Sequence, residues 1–115
     1  MRTALIFLAL LAVFAVAGCG SFGVSTTATC AKMRNSYEKD LCIYNMSTAK
    51  MSSNDCKDIM NETMKSKCIN IVAVRLLDYT PCKQHDKAKQ RDDCEKIVSD
   101  VRKNARKENP NIKLP

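Results

Sequence analysis

Six regularly spaced cysteines constrain this chain more than any other feature of its sequence. Successive cysteines lie 12, 14, 12, 14 and 12 residues apart, so the pattern has a period of 26 residues. The positions are Cys30, Cys42, Cys56, Cys68, Cys82 and Cys94. A fixed period of this length is typical of repeat architectures. We therefore interpret residues 30–107 as one cysteine-rich domain built from three 26-residue repeats.

Apolar residues that follow the second cysteine of the later repeats recur at helical spacing. They are Ile69, Val72, Leu76, Ile97, Val98 and Val101. Intervals of three and four residues place side chains on one face of a helix. Residues 24–115 contain no glycine and only three prolines, whereas strand-and-turn folds need more turn residues than this. The sequence predicts an all-α fold, a small disulfide-clipped array of antiparallel helical hairpins in which these six residues are among the most buried.

Polar segments divide the helical pattern. Ser52-Ser53-Asn54-Asp55 can end one helix and cap the next, and Thr80-Pro81 offers a cap followed by proline in the first turn. Asn61-Glu62-Thr63 forms a further polar break. We expect each repeat to contain a short helix with the first cysteine, a polar turn, and a longer helix with the second cysteine.

Six cysteines allow 15 disulfide connectivities. Within one repeat, both cysteines are equally far from the polar turn, so an antiparallel hairpin brings them level. This symmetry favours Cys30–Cys42, Cys56–Cys68 and Cys82–Cys94. Cysteines 14 residues apart on an unbroken helix would be roughly 21 Å apart, and a disulfide needs Cα atoms within about 7 Å. If the polar segments reverse the chain sharply, the 14-residue pairs become reachable and Cys30 pairs with Cys94, so this alternative stays open.

Residues 1–18 have the pattern of a signal peptide. Arg2 provides a positive start, and the apolar run Ala4–Ala17 is shorter than the roughly 18–20 residues that span a bilayer. The run ends in Val16-Ala17-Gly18-Cys19, which resembles the lipobox of prokaryotic lipoproteins. The resemblance implies that Cys19 receives a diacylglyceryl group and becomes the first residue of the mature chain.

An ordinary secretory signal is the alternative for this segment. Ala15-Val16-Ala17 fits the small-x-small rule for signal cleavage, which would leave Gly18 first. The cysteine count favours the lipoprotein, because the chain has seven cysteines and an exported protein with an odd thiol needs an explanation. Assigning Cys19 to the lipid leaves six cysteines in a regular series.

Two segments that flank the repeats are predicted to be unstructured. Residues 19–29 are rich in Gly, Ser and Thr and are predicted to be a flexible tether. Residues 108–115 lose the apolar stripe and are predicted to be a disordered basic tail. Between these segments, Cys56-Lys57-Asp58-Ile59 resembles the Cys-x-x-Ile pattern of small exported cysteine-rich helical-repeat proteins of archaea, whose functions are unknown. That resemblance implies a helical fold and no activity.

The sequence offers little catalytic or metal-binding chemistry. His85 is the only histidine, and its polar surroundings predict that it is solvated. Cys-x-x-Cys redox motifs and glycine-rich phosphate loops are absent from the repeats. We therefore predict no catalytic residue, no metal and no cofactor. Methionine packs readily into irregular cores, and we expect that role for Met33, Met46, Met51, Met60 and Met64.

The net positive charge of the chain suggests that it binds anionic partners. Without Arg2 the chain has 18 basic residues against 12 acidic ones, which suits anionic lipid headgroups, anionic envelope polymers or another envelope protein. Mixed charge signs and the lack of aromatic residues after Tyr79 argue against nucleic acid. We expect a lipid-anchored, non-enzymatic module with a structural or interaction role at the cell envelope. The alternative is a soluble secreted six-cysteine ligand of the toxin or signalling kind.

Asn45 and Asn61 match the N-glycosylation pattern.

Overall fold

The computed structural model describes residues 27–115, without the side chain of Thr27. Residues 1–26, with the predicted signal peptide, Cys19 and most of the predicted tether, lie outside the described residues. Four α-helices and two 3₁₀ helices follow one another in the described part. They are α1 (Thr27–Ala31), α2 (Ser36–Lys50), η1 (Asn54–Asp58), α3 (Glu62–Leu76), η2 (Thr80–Gln84) and α4 (Ala88–Glu108). Residues 27–115 contain no strand, so the all-α prediction is confirmed.

Three disulfides each join a short helix to the long helix that follows it. The bonds are Cys30–Cys42, Cys56–Cys68 and Cys82–Cys94, with Cα–Cα distances of 5.6, 5.8 and 5.6 Å. The pairing within each 26-residue segment is therefore confirmed, and the long-range alternative is wrong. Each bond closes a loop of about a dozen residues, which stabilises the fold by about 3 kcal/mol in the chain-entropy model.

The three long helices begin at regular positions; two of them follow an asparagine cap, whereas Lys87 before α4 makes no side-chain cap hydrogen bond. They start at Ser36, Glu62 and Ala88, 26 residues apart. The Asn35 side chain accepts a hydrogen bond from the Tyr37 amide, and Asn61 accepts one from the Met64 amide, both at 2.9 Å. Asparagine is a favoured N-cap because its oxygen satisfies an otherwise unpaired helix amide. That the three segments are sequence repeats stays a prediction, since little beyond the cysteines is shared.

Helices α2 and α3 end at residues with left-handed backbone conformation. Met51 and Leu77 both have φ of 52°. After each of them the chain closes a Schellman-type turn, in which Ser52 donates to the Ser47 carbonyl and Asp78 to the Ala73 carbonyl, both at 3.0 Å. Glycine normally occupies this position. The two turns reverse the chain without glycine and direct η1 and η2 back along the preceding helices.

Helix α3 lies at the centre of the array. It contacts α2, η1, η2 and α4, and its residues Ile69, Val72 and Ala73 are fully buried. One connected core joins these side chains to the disulfides and to residues of the neighbouring elements. Its remaining apolar members are Ile43, Ile59 and Val98. The described part of the chain is thus a row of helices in which each long helix packs on the next.

The predicted core is right for three of its six residues. Ile69, Val72 and Val98 are fully buried, but Leu76 and Ile97 are exposed and Val101 is only half-buried. Adjacent helical residues point about 100° apart, so Val98 faces the core and Ile97 turns toward its edge. Leu76 is the last residue of α3, where the chain turns away from its neighbours.

Helical structure reaches into both segments that were predicted to be unstructured. Helix α1 begins at Thr27, inside the predicted tether, and α4 continues to Glu108. The predicted tail then turns, since the Ile112 amide donates to the Asn109 carbonyl at 3.1 Å and Arg102 donates to the Pro115 carbonyl. These hydrogen bonds join residues 109–115 to the end of α4.

Candidate functional site

His85 is buried, which corrects the expectation that it is solvated. Only 4% of its surface is exposed, and Nε2 lies 2.8 Å from Oδ1 of Asn70 on α3. An amide oxygen can only accept, so Nε2 carries a proton and donates to it. Burial is the main cause that lowers the pKa of His85; the Asp86 carboxylate partly opposes it, and the Arg91 guanidinium lowers the pKa further.

The position of His85 in its segment explains the burial. Ile59 lies 26 residues earlier and is also buried. Both residues follow a 3₁₀ helix in extended conformation, and their amides donate to the carbonyls of Cys56 and Cys82, each at 3.2 Å. The backbone therefore places either side chain in the core. Aligning the segments by their cysteines would have predicted this, whereas the polar neighbours of His85 suggested the opposite.

Asp40 is a second buried polar residue, and its burial was not predicted from the sequence. Its exposed fraction is 3%, and its two oxygens accept the backbone amides of Met60 at 3.0 Å and Asn61 at 2.9 Å. These two backbone amides satisfy the hydrogen-bonding capacity of the buried side chain. Asp40 thereby holds the start of α3 against the side of α2.

Further hydrogen bonds join successive segments. Arg75 on α3 donates to the Thr48 carbonyl near the end of α2 at 2.9 Å. Gln84 of η2 donates to the Ser53 hydroxyl, just before η1, at 2.8 Å. Together with His85 and Asp40, these contacts are structural, because each polar atom they use connects one segment to another.

The most distinctive surface feature is an exposed apolar stripe on α2, here called the α2 face. Tyr37, Leu41, Asn45 and Ala49 follow one another at four-residue intervals and are all exposed, with Met33 beside them. Residues at this spacing lie on one side of a helix. Leu41 contributes to two adjoining grooves, one shared with Met33 and Ala49 and the other with Tyr37.

The second groove extends the α2 face onto α3. Tyr44 and Met64, which are half-buried, line this groove together with Tyr37 and Leu41. Tyrosine and methionine are enriched at recognition surfaces because they offer large contact area with adaptable or amphipathic ends. The α2 face therefore has the composition of a binding surface.

The methionine prediction is largely wrong. Met46 is buried and Met64 half-buried, but Met33, Met51 and Met60 are exposed, the last at 72%. Met60 lies in the loop before α3, and Met51 occupies a helix-ending turn. Neither backbone position directs its side chain into the core, and the methionine content alone did not reveal that.

The two glycosylation patterns differ in accessibility. The Ser47 hydroxyl of the first pattern is fully buried within α2, so the folded chain does not present Asn45-Met46-Ser47 in the form of an exposed loop. In the second pattern, Asn61 is exposed but its side-chain oxygen caps α3.

All six cysteines of the described chain form disulfides and leave no free thiol there. Within residues 27–115 no three His, Cys, Asp or Glu side chains gather as a metal site would require. The helices of this part are also too short or too polar to cross a membrane. Cys19 lies outside the described residues. No family model, curated protein or solved structure matches the chain.

Proposed function

We propose that this chain is an exported, lipid-anchored and non-enzymatic helical module that presents the α2 face to a partner at the cell envelope. The observation that carries the proposal is the exposed apolar stripe Tyr37, Leu41 and Ala49 on a helix that a disulfide holds in place. Exposed apolar patches on small proteins commonly mark interaction sites.

Three disulfides in so short a domain indicate an oxidising compartment. This agrees with a chain that is exported. The lipid anchor rests on the lipobox-like Val16-Ala17-Gly18-Cys19 and on the odd seventh cysteine, which no disulfide of the described chain uses.

The decisive experiment is mass spectrometry of the N-terminal peptide of the native protein. We expect a peptide that begins at Cys19 and carries a diacylglyceryl group. Cys19→Ser should release the protein from membranes or leave it as an uncleaved precursor, whereas Ser21→Ala, which leaves the lipobox pattern intact, should change neither property. A native chain that begins at Gly18 with an unmodified Cys19 would refute the anchor and favour the soluble ligand.

A further inference from the structure

The α2 face lies next to the point where the N-terminal segment enters the fold. Helix α1 begins at Thr27, three residues before Cys30 and thus about 4.5 Å from it along the helix. Cys30 is bonded to Cys42 at a Cα–Cα distance of 5.6 Å, and Cys42 lines the groove that contains Met33, Leu41 and Ala49. The end of the tether is therefore adjacent to the α2 face.

The length of the tether limits how far this face can move from an anchor. Eight residues lead from Cys19 to Thr27, and eight extended residues reach at most about 28 Å. A domain attached to a bilayer through Cys19 keeps its first helices close to the lipid surface. The effective concentration of the α2 face at that surface is high for the same reason.

The chemistry of the α2 face suits a lipid interface. Tyr37 is 59% exposed, and tyrosine prefers membrane interfaces because its ring is apolar and its hydroxyl is polar. Leu41 and Met33 add exposed aliphatic surface beside it. Tyr37 and Leu41 lie on α2, where Asn35 caps the Tyr37 amide, and the Met33 amide in the preceding loop donates to the Cys30 carbonyl at 3.1 Å. Contact with lipid therefore leaves none of these amides unsatisfied.

The charges around the α2 face are mainly positive. Lys50 and Lys67 line its two grooves, and Lys32 and Arg34 flank Met33 in the exposed loop after α1. Among the described residues that line these grooves, Glu38 is the one acid. The other carboxylate of α2, Asp40, is turned inward and bonded to the amides before α3. Basic residues at such a position attract anionic headgroups.

We propose that the α2 face docks onto the anionic lipid surface of the membrane that carries the anchor, with Tyr37, Leu41 and Met33 inserted at the headgroup boundary. This inference rests on the proposed lipid anchor. It orients the module so that α2 faces the bilayer and α4 faces away from it. A second copy of the chain is the competing occupant of the same face.

The absence of tryptophan from the sequence allows a direct test with single-tryptophan variants of the full lipidated protein. Leu41→Trp reports on the α2 face and Ile97→Trp on α4. The two native side chains are exposed to similar extents, 38% and 43%, which makes them a matched pair. Both proteins are reconstituted in vesicles of phosphatidylglycerol and phosphatidylcholine, with or without brominated lipids, and are also studied in detergent-free solution as Cys19→Ser forms.

Brominated lipid should quench the tryptophan of Leu41→Trp at least about twofold more than that of Ile97→Trp, because an interfacial helix buries its apolar face roughly 5–10 Å into the boundary. Quenching should fall when phosphatidylglycerol is omitted. Equal quenching at both positions would overturn the docking and leave the anchor intact. A blue-shifted Leu41→Trp emission without vesicles, with a dimer in sedimentation, would overturn it in favour of a second copy. Protein that does not float with the vesicles would refute the anchor itself, as the N-terminal mass would show independently.

Discussion

Acidification should destabilise the fold through His85. The imidazole is buried and neutral beside Asn70, and burial lowers its pKa in the folded chain. In the unfolded chain the pKa returns to about 6.5. Below that value the unfolded state binds a proton that the folded state rejects, so the free energy of unfolding falls as the pH falls.

The size of the effect follows from the linkage relation. Between the unfolded pKa and the lower folded pKa, one proton separates the two states, and the free energy of unfolding drops by about 1.4 kcal/mol for each pH unit. Of the charges facing His85, the Asp86 carboxylate raises its pKa and so reduces the loss of stability, whereas the Arg91 guanidinium lowers its pKa and so increases the loss. Asp78 does not interfere in this range, because its hydrogen bonds from Thr80 lower its pKa below the usual carboxyl value.

The assay is urea unfolding of the oxidised protein at several pH values between 7.5 and 5. His85→Ile places at position 85 the residue found at the corresponding position 59. We expect it to be within about 1 kcal/mol of the native protein at pH 7.5, because the lost hydrogen bond is offset by apolar burial. Its free energy of unfolding should change much less with pH.

Ile59→Val is the control for this comparison. It should lower the free energy of unfolding by about 0.5–1.5 kcal/mol at every pH, and it should keep the native pH slope because His85 is intact. If the native protein and His85→Ile lose stability in parallel between pH 7 and pH 5, the reasoning about His85 is refuted.

Three further predictions concern single residues; the first two are measured by urea unfolding and the third by circular dichroism. Asp40→Asn leaves a buried amide poorly paired and should lower the free energy of unfolding by about 1.5–3 kcal/mol. The control Asp92→Asn changes an exposed residue and should lower it little; equal losses in the two variants would contradict the role of Asp40. Met51→Gly removes the strain of a non-glycine residue in left-handed conformation at an exposed position, so it should raise the free energy of unfolding by about 0.5–1 kcal/mol. A loss of stability would contradict this. Val72→Asp buries an unpaired charge and should abolish the native helical dichroism at 25 °C; a folded variant would contradict the central position of α3.

Several features of the fold follow from local sequence and were predictable. Cysteines 12 residues apart on either side of a polar turn become neighbours in a hairpin, so spacing favoured Cys56–Cys68 and its counterparts over the long-range alternative. The break at Asn61 was also predictable, because asparagine caps a helix through an atom of its own side chain. Such features depend on contacts within about a dozen residues, which spacing and residue type describe well.

The apolar α2 face and the inward position of Asp40 were not predictable in the same way. The charge of Asp40 predicts exposure, but two amides 20 and 21 residues away make its burial favourable. Leu41, the next residue, is apolar and yet exposed, because the described neighbours of α2 cover its other side. Only the position of α3 against α2 decides which side of the helix is covered.

The sequence by itself determined the helical class and the presence of three hairpin-like segments, and it favoured the disulfide pairing that the structure then decided, because these depend on short-range spacing and capping. The tertiary structure decided that His85 is inside, that Ile97 is outside, and that Met51 and Leu77 reverse the chain without glycine. Whether a residue is buried depends on how the helices pack together. The polarity of the residue determines only how much free energy its burial costs. Where a neighbouring segment supplies a partner, as Asn70 does for His85, that cost is met and the polar side chain stays in the core.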